Sequence, residues 1–255
     1  MSLLSLNRLV KNFGGLTAVN NVSFDVDDGS ISGLIGPNGA GKTTVFNLIT
    51  GIYQPDQGEI RFNQKSIARA KAHKIVSMGI ARTFQSIRLF QNLPVIENVL
   101  AGSHLRLRSG VISSLFHTPH QRAEEREALE DALRMIGFVG LGGHEGALAR
   151  NLSYGNQRLL EIARALATHP KLLILDEPAG GMNDKETAQL ITLIRRIRDG
   201  GVTVLLIEHD MNLVMEVCEK IVVLEYGSKI AEGPPEEIRR DKRVIEAYLG
   251  TEKEW

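Results

Sequence analysis

The chain has 255 residues, 43% of them hydrophobic and 24% charged, the balance of an ordinary globular protein of one large or two smaller domains. Lys and Arg together number 30, as do Asp and Glu, so no basic excess points to nucleic acid. The single Cys218 excludes an internal disulfide and fits a reducing compartment.

The N-terminal stretch MSLLSLNRLVKNF carries charged and polar residues where a signal peptide needs an unbroken apolar core. Val22–Val26 (VSFDV) alternates apolar and polar residues, and Ile31–Ile35 (ISGLI) leads into a glycine-rich loop, so both read as strands. A helix follows over Thr43–Thr50, and the turn QPDQG introduces a strand at Gly58–Phe62. From Val95 to Thr168 the patterns are mostly helical, and the charged run HQRAEEREALEDALRMIG reads as a solvated helix face. Strand and helix then alternate: KLLIL, a helix over Asp184–Arg198, VTVLLIE, a helix to Glu219, and KIVVLEYG. Alternation of this kind predicts a parallel sheet flanked by helices. The longest apolar runs, such as Val204–Ile207, are strand-sized and far short of a membrane span. The expected organisation is a single domain. An α/β core over 1–85 and 169–238 carries a helical insert over 86–168, closed by a charged tail at Arg239–Trp255.

The strongest motif is Gly36-Pro37-Asn38-Gly39-Ala40-Gly41-Lys42-Thr43, with Thr44 behind it. It fits the phosphate loop G-x-x-x-x-G-K-[ST] and stands between a predicted strand and a predicted helix, the context that gives the pattern its meaning. Its glycines let successive backbone N–H groups face phosphate oxygens. Lys42 then reaches the β and γ phosphates, and the Thr43 hydroxyl is a ligand for Mg²⁺. The second motif is LLILDE, Leu172–Glu177, four apolar residues and two carboxylates. It puts Asp176 and Glu177 at the carboxyl end of a buried strand, where open α/β sheets bind ligands. Asp176 is the expected member of the Mg²⁺ shell, and Glu177 lies where a water would attack the γ phosphate. A third stretch, Leu152-Ser153-Tyr154-Gly155-Asn156-Gln157, precedes Leu159, Ile162, Ala163 and Leu166, which have the spacing of a half-buried helix. A serine and a glycine at a helix start present a hydroxyl and free N–H groups to an anion. One chain thus carries two phosphate mouths far apart in sequence.

With those motifs in hand the chain resembles, over nearly its whole length, the nucleotide-binding subunits of ATP-binding-cassette (ABC) transporters. The resemblance implies the ABC ATPase fold: a P-loop core with a mixed or parallel sheet, an antiparallel β subdomain and an α-helical insert. LSYGNQ is similar to the family signature LSGGQ, departing from it at Tyr154. RTFQ matches the Q-loop at Gln85, and IEHDM the switch histidine at His209. By the same resemblance Phe13 stacks on adenine, Gln85 joins the Mg²⁺ shell, and Glu177, His209 and Gln85 form the catalytic group.

The family arrangement accounts for two mouths. Subunits associate head to tail, so Ser153, Tyr154, Gly155, Asn156 and Gln157 of one close on ATP and Mg²⁺ held by the phosphate loop of the other. Asn183, in EPAGGMND, stands where most of the family carries Asp. A membrane subunit's short helix is expected to dock in a groove near Gln85–Ile96, with Ile87, Leu89, Phe90 and Leu93 as candidate lining.

Within the family, FGGLTAVNNVSFDV, RTFQSIRLFQNLPVIENVLAGSH, EPAGGMN and RVIEAYLG are similar to the LivG type of branched-chain amino-acid importer. That implies a second, LivF-like ATPase subunit (or a second copy of this chain), two membrane-spanning permease subunits and, indirectly, a periplasmic solute-binding protein. It implies a peripheral place on the cytoplasmic face of a bacterial or archaeal inner membrane. Urea importers of the same branch remain an alternative. ABC ATPases of DNA repair or translation usually carry a long coiled-coil insertion or two cassettes, and this chain shows neither sustained heptads nor a second cassette. A simple P-loop kinase leaves LSYGNQ and His209 without a role.

Overall fold

A computed structural model describes residues 1–103 and 119–249. The middle of the helical stretch and the last six residues of the tail lie outside the described residues. Two sheets organise the chain. The first is antiparallel, in the order β2-β1-β4-β5, from β1 (Ser2–Phe13), β2 (Leu16–Asp27), β4 (Gln57–Phe62) and β5 (Lys65–Ser66). The second has the order β10-β9-β3-β8-β7-β6, from β3 (Ile31–Ile35), β6 (Ile80–Arg82), β7 (Leu172–Asp176), β8 (Thr203–Ile207), β9 (Lys220–Glu225) and β10 (Ser228–Gly233). All its pairings are parallel except that of β10 with β9. The expected parallel sheet therefore carries one antiparallel edge strand, made because Tyr226 and Gly227 turn the chain back at positive φ.

Strands β3, β7 and β8 are buried at every residue, as a parallel sheet covered on both faces requires. Alternate side chains serve two cores. Ile174, Leu205 and Ile207 face the antiparallel sheet and helix α1 (Lys42–Ile49), whose Val45, Phe46, Leu48 and Ile49 are buried there. Leu173, Leu175, Val204 and Leu206 face the helical side. That side holds α3 (Val95–Ser103), α4 (Pro119–Phe138), α5 (Tyr154–Leu166), α6 (Asp184–Asp199) and α7 (Met211–Val217); the short α2 (Ala72–Ser77) precedes β6. No described helix is long and apolar enough to cross a membrane.

Several segments differ from the sequence reading: β5, α2, β6 and β10 lie where no element was assigned, and so do elements at both ends of the chain. The N-terminal stretch, assigned no element, is strand β1, paired with both β2 and β4. Its alternation is broken because the register shifts between Leu6 and Leu9, where Arg8 takes φ 48°. The described part of the C-terminal tail, residues 239–249, carries a helix to which the sequence reading assigned no element. After α8 (Pro235–Ile238), helix α9 (Lys242–Leu249) buries Val244 in the helical-side core, and its Ala247 is buried as well.

Candidate nucleotide-binding site

Because β3, β6, β7 and β8 run parallel, their carboxyl ends lie together, and each delivers a different group to one edge of the sheet. From β3 comes the glycine loop. Gly36 has φ 147°, and a Cβ there would lie 2.1 Å from the Leu224 carbonyl oxygen. Gly41 has φ 96° and the same crowding, 2.5 Å from the Ala18 oxygen. Only glycine fits at either position. Gly41 is also the N-cap of α1; it makes no side-chain cap, and no acidic residue stands in the first turn. The first N–H groups of α1 therefore present an anion site. Lys42 turns back over the loop, its Nζ donating to Gly36 O at 2.6 Å and Pro37 O at 2.9 Å. Burial lowers its pKa, and the charges of Glu177 and Asp176 oppose that shift.

A cleft of about 510 Å³ opens here, lined by Phe13, the loop and helix residues Asn38 to Thr44, Gln85 and Glu177. Phe13 is half exposed at the end of β1; Tyr53 meets it edge-on at 5.1 Å between centroids, and Lys11 Nζ lies 5.4 Å from its ring centre. Such a ring, propped from its edge and flanked by a cation, offers an aromatic face to a base.

Strand β7 ends at Asp176, whose buried carboxylate receives a 2.7 Å bond from Arg82 at the end of β6. Glu177 follows with φ 48°, unusual for a residue with a side chain, and its N–H is held by Ile207 O at 2.9 Å. Gln85 Nε2 donates to Glu177 Oε2 at 2.8 Å, and His209 Nδ1, beyond the end of β8, lies 3.9 Å from the same oxygen. The catalytic group expected from sequence is thus brought together around one carboxylate. For a Mg²⁺ ion Thr43 and Gln85 would offer hard oxygens from the cleft lining, and Asp176 a carboxylate from beside its salt bridge with Arg82. Among the described residues no three His, Cys, Asp or Glu side chains form a protein cage for a metal.

The signature residues stand elsewhere. Ser153 caps α5, its hydroxyl accepting from Asn156 N at 3.3 Å, and Gln157 donates to Leu152 O at 3.1 Å. Gly155 packs against Glu186: a Cβ there would lie 2.6 Å from its carboxylate oxygen. Tyr154 lies over Gly181. None of the five lines the cleft of its own chain. Asn183 is occupied locally. It forms a capping box with Glu186, each side chain accepting at 3.0 Å from the other's backbone N–H.

Sequence reasoning passed over several residues that hold this edge. Arg82 also donates to Asn47 at 2.7 Å. Glu208, whose pKa burial raises, accepts from Ala179 N at 2.8 Å and His209 N at 3.1 Å, tying the loop after β7 to the loop after β8. Tyr226 stands on the lip of the cleft. Arg82 and Glu208 adjoin recognised motifs in ARTFQ and LLIEHD, and that adjacency was the available signal.

A glycine loop between strand and helix, facing a strand-end carboxylate flanked by glutamine and histidine, defines a P-loop ATPase of the ATP-binding-cassette class. The chain belongs to the ABC transporter family, whose profile matches residues 19–180; a second, described as branched-chain amino acid ATP-binding cassette transporter, matches 228–254. It is 49% identical to the high-affinity branched-chain amino acid transport ATP-binding protein LivG of Salmonella typhimurium, over 97% of this chain and 98% of that protein. It is 48% identical, with the same coverage, to BraF of Pseudomonas aeruginosa, which carries the same description. Its fold matches the crystal structure of the ADP conformation of MJ1267, an ATP-binding cassette of an ABC transporter. That match has TM-score 0.86 and 32% identity, covering 98% of this chain and 99% of that one.

Proposed function

We propose that the chain is the ATP-hydrolysing subunit of a branched-chain amino-acid importer, working with Mg²⁺ in a head-to-tail dimer with a LivF-like partner. One observation carries the reading: Glu177 stands at the phosphate-loop cleft with Gln85 and His209 about it, while Ser153 and Gly155 lie outside that cleft. A mouth that serves no nucleotide in its own chain is available to a partner's.

The chemistry follows from the side chains. Lys42 leaves the Gly36 and Pro37 carbonyls for the β and γ phosphates. Glu177 accepts the proton of the attacking water, and its backbone tether to β8 fixes where that carboxylate stands. Gln85 and His209 orient the carboxylate and contact the γ phosphate. Phe13 receives the adenine. Bound Mg²⁺, held by Thr43, Asp176 and Gln85, would supply neutralising charge for the β and γ phosphates. The partner's Ser153-equivalent mouth satisfies the triphosphate from the far side, so ATP favours the closed pair.

Beside the Q-loop lies an apolar groove of about 440 Å³ lined by Ile52, Ile75, Phe84, Phe90 and Arg164, among others. We assign it to a cytoplasmic helix of the permease. Of the four residues expected to line it, only Phe90 does; Leu89 packs into the helical-side core instead. In this reading the core (1–85, 169–238), helical part (86–168) and tail form one domain. The chain sits at the cytoplasmic membrane face through the permease, which with a periplasmic binding protein selects the solute.

The deciding experiment is co-expression with a LivF-like ATPase, two permease subunits and a periplasmic binding protein from the same organism, followed by reconstitution into vesicles. ATP-dependent uptake of leucine or valine supports the proposal. Uptake of urea instead would reassign the solute, and purification without any permease would overturn the transport reading.

A further inference from the structure

Helix α5 reaches past its own N-terminal motif and grips the Q-loop. Arg158, one turn into the helix, is 4% exposed. Its Nη1 donates to Phe84 O at 2.6 Å and to Glu161 Oε2 at 3.2 Å; its Nη2 donates to Gln85 O and, at 3.0 Å, to the Tyr154 hydroxyl. Glu161, 2% exposed, accepts Arg88 N at 2.8 Å, and Arg164 donates to Arg88 O at 2.5 Å. Three side chains on successive turns of one helix thus hold the backbone of residues 84–88 from both ends. Two charges have been taken out of water to do so. Apolar residues of the same volume often make as stable a core, so stability alone is a weak reason for a buried pair. The guanidinium's planar fork, in contrast, can hold two neighbouring carbonyls at once, which an ammonium cannot.

The held residue is the one that touches Glu177. Gln85 gives its carbonyl to Arg158 and its side-chain amide to Glu177 Oε2. A continuous polar chain therefore runs from Tyr154, inside the signature motif, through Arg158 and Gln85 to the carboxylate. We propose that Arg158 is a positioning residue that sets Gln85 against Glu177 and so links the two ATP sites of the dimer through one chain. The inference rests on the dimer reading above, in which Tyr154 belongs to the mouth closing on the partner's nucleotide and Glu177 to the chain's own site. When the mouth closes, α5 carries Arg158 with it, and the Q-loop follows. Hydrolysis at one site then depends on occupancy of the other.

The test uses the complete transporter and three versions of this chain: wild type, Arg158→Lys and Tyr154→Phe. The readouts are kcat, KM and the Hill coefficient for ATP, with thermal midpoint alongside. Arg158→Lys keeps the charge and loses the fork; kcat should fall about tenfold and the Hill coefficient move toward unity, with KM within about threefold of wild type. Tyr154→Phe removes one hydroxyl at an exposed position, so it keeps the test alive should Arg158→Lys misfold. It should lower the Hill coefficient with a smaller loss of kcat. Wild-type kcat and cooperativity in a folded Arg158→Lys, or in Tyr154→Phe should the lysine variant misfold, would overturn the link. So would a fall in kcat that tracks a lowered thermal midpoint with cooperativity intact, which a merely structural residue gives. A wild-type complex without ATP hydrolysis would sink the functional reading itself, and the inference with it.

Discussion

Gln85 donates its side-chain amide to Glu177 at 2.8 Å, an interaction spanning ninety-two positions of sequence at the mouth of the phosphate-loop cleft. The Q-loop is thereby in direct contact with the carboxylate assigned to activate water, and a change in the loop's position is felt at the proton acceptor. Glu177→Gln keeps the side chain's shape and removes its charge and basicity. Hydrolysis should fall by about 10²–10⁴-fold, the usual worth of a general base. ATP binding should survive or tighten, since a negative charge beside the triphosphate is gone. With the partner ATPase, ATP and Mg²⁺ present, size-exclusion chromatography should show a stable dimer. Adding Ser153→Arg to the same chain should break that dimer while leaving ATP binding by the single chain nearly unchanged. A variant that stays monomeric with its partner present contradicts the two-mouth arrangement.

Lys42 is tied to the Gly36 and Pro37 carbonyls and stands close enough to Asp176 and Glu177 to feel their charge. Lys42→Ala removes the loop's own cation. Calorimetry should show ATP affinity lowered by about tenfold or more, the scale of a charge-assisted bond to phosphate, with hydrolysis lost. Wild-type affinity would remove Lys42 from the site.

Phe90 is 52% exposed and lines the groove beside the Q-loop. Phe90→Asp should leave the soluble ATPase activity intact and abolish its stimulation by solute in the reconstituted transporter. Unaltered transport would mean that the permease docks elsewhere.

Asp131 of α4 accepts from His169 Nε2 at 2.5 Å and from Arg134 at 2.9 Å, joining the helical side to the loop before β7. Burial pushes its carboxyl pKa up, but the hydrogen bond and charge of His169, then those of Arg134, outweigh that and hold it below the ordinary value. A depressed carboxyl pKa gives stability that is present above the unfolded value, about 3.9, and is lost as pH falls through the folded one. Asp131→Asn should therefore melt a few degrees below wild type at neutral pH, at about 2–4 °C per kcal/mol for a chain of this size. The gap should close in acid below about pH 4. An equal gap at neutral and acid pH would show that Asp131 acts by packing and not by charge.

What could be read in advance was local. The phosphate loop, LLILDE and IEHDM each place their chemistry within a few residues of a strand whose apolar run is visible by itself. What escaped was long-range. Arg158 looks like any surface arginine of an amphipathic helix until Phe84 and Gln85, more than seventy residues away in sequence, fold back against it. Arg82 needs Asp176, ninety-four positions on, to account for its burial. Strand β1 was hidden by a bulge at Arg8 that breaks its period of two, and α9 by charges that outnumber its two buried contacts, Val244 and Ala247.

Glu177 occupies a left-handed backbone conformation, which costs a side-chain-bearing residue about 1–2 kcal/mol and glycine almost nothing. Two kinds of selection therefore pull in opposite directions at this one codon. Screened for heat resistance alone, a library of variants should drift toward glycine there; screened for growth on the imported solute, it should return to glutamate. A thermostabilised version of this subunit is accordingly at risk of being a dead one, and position 177 is the first to hold constant when building it.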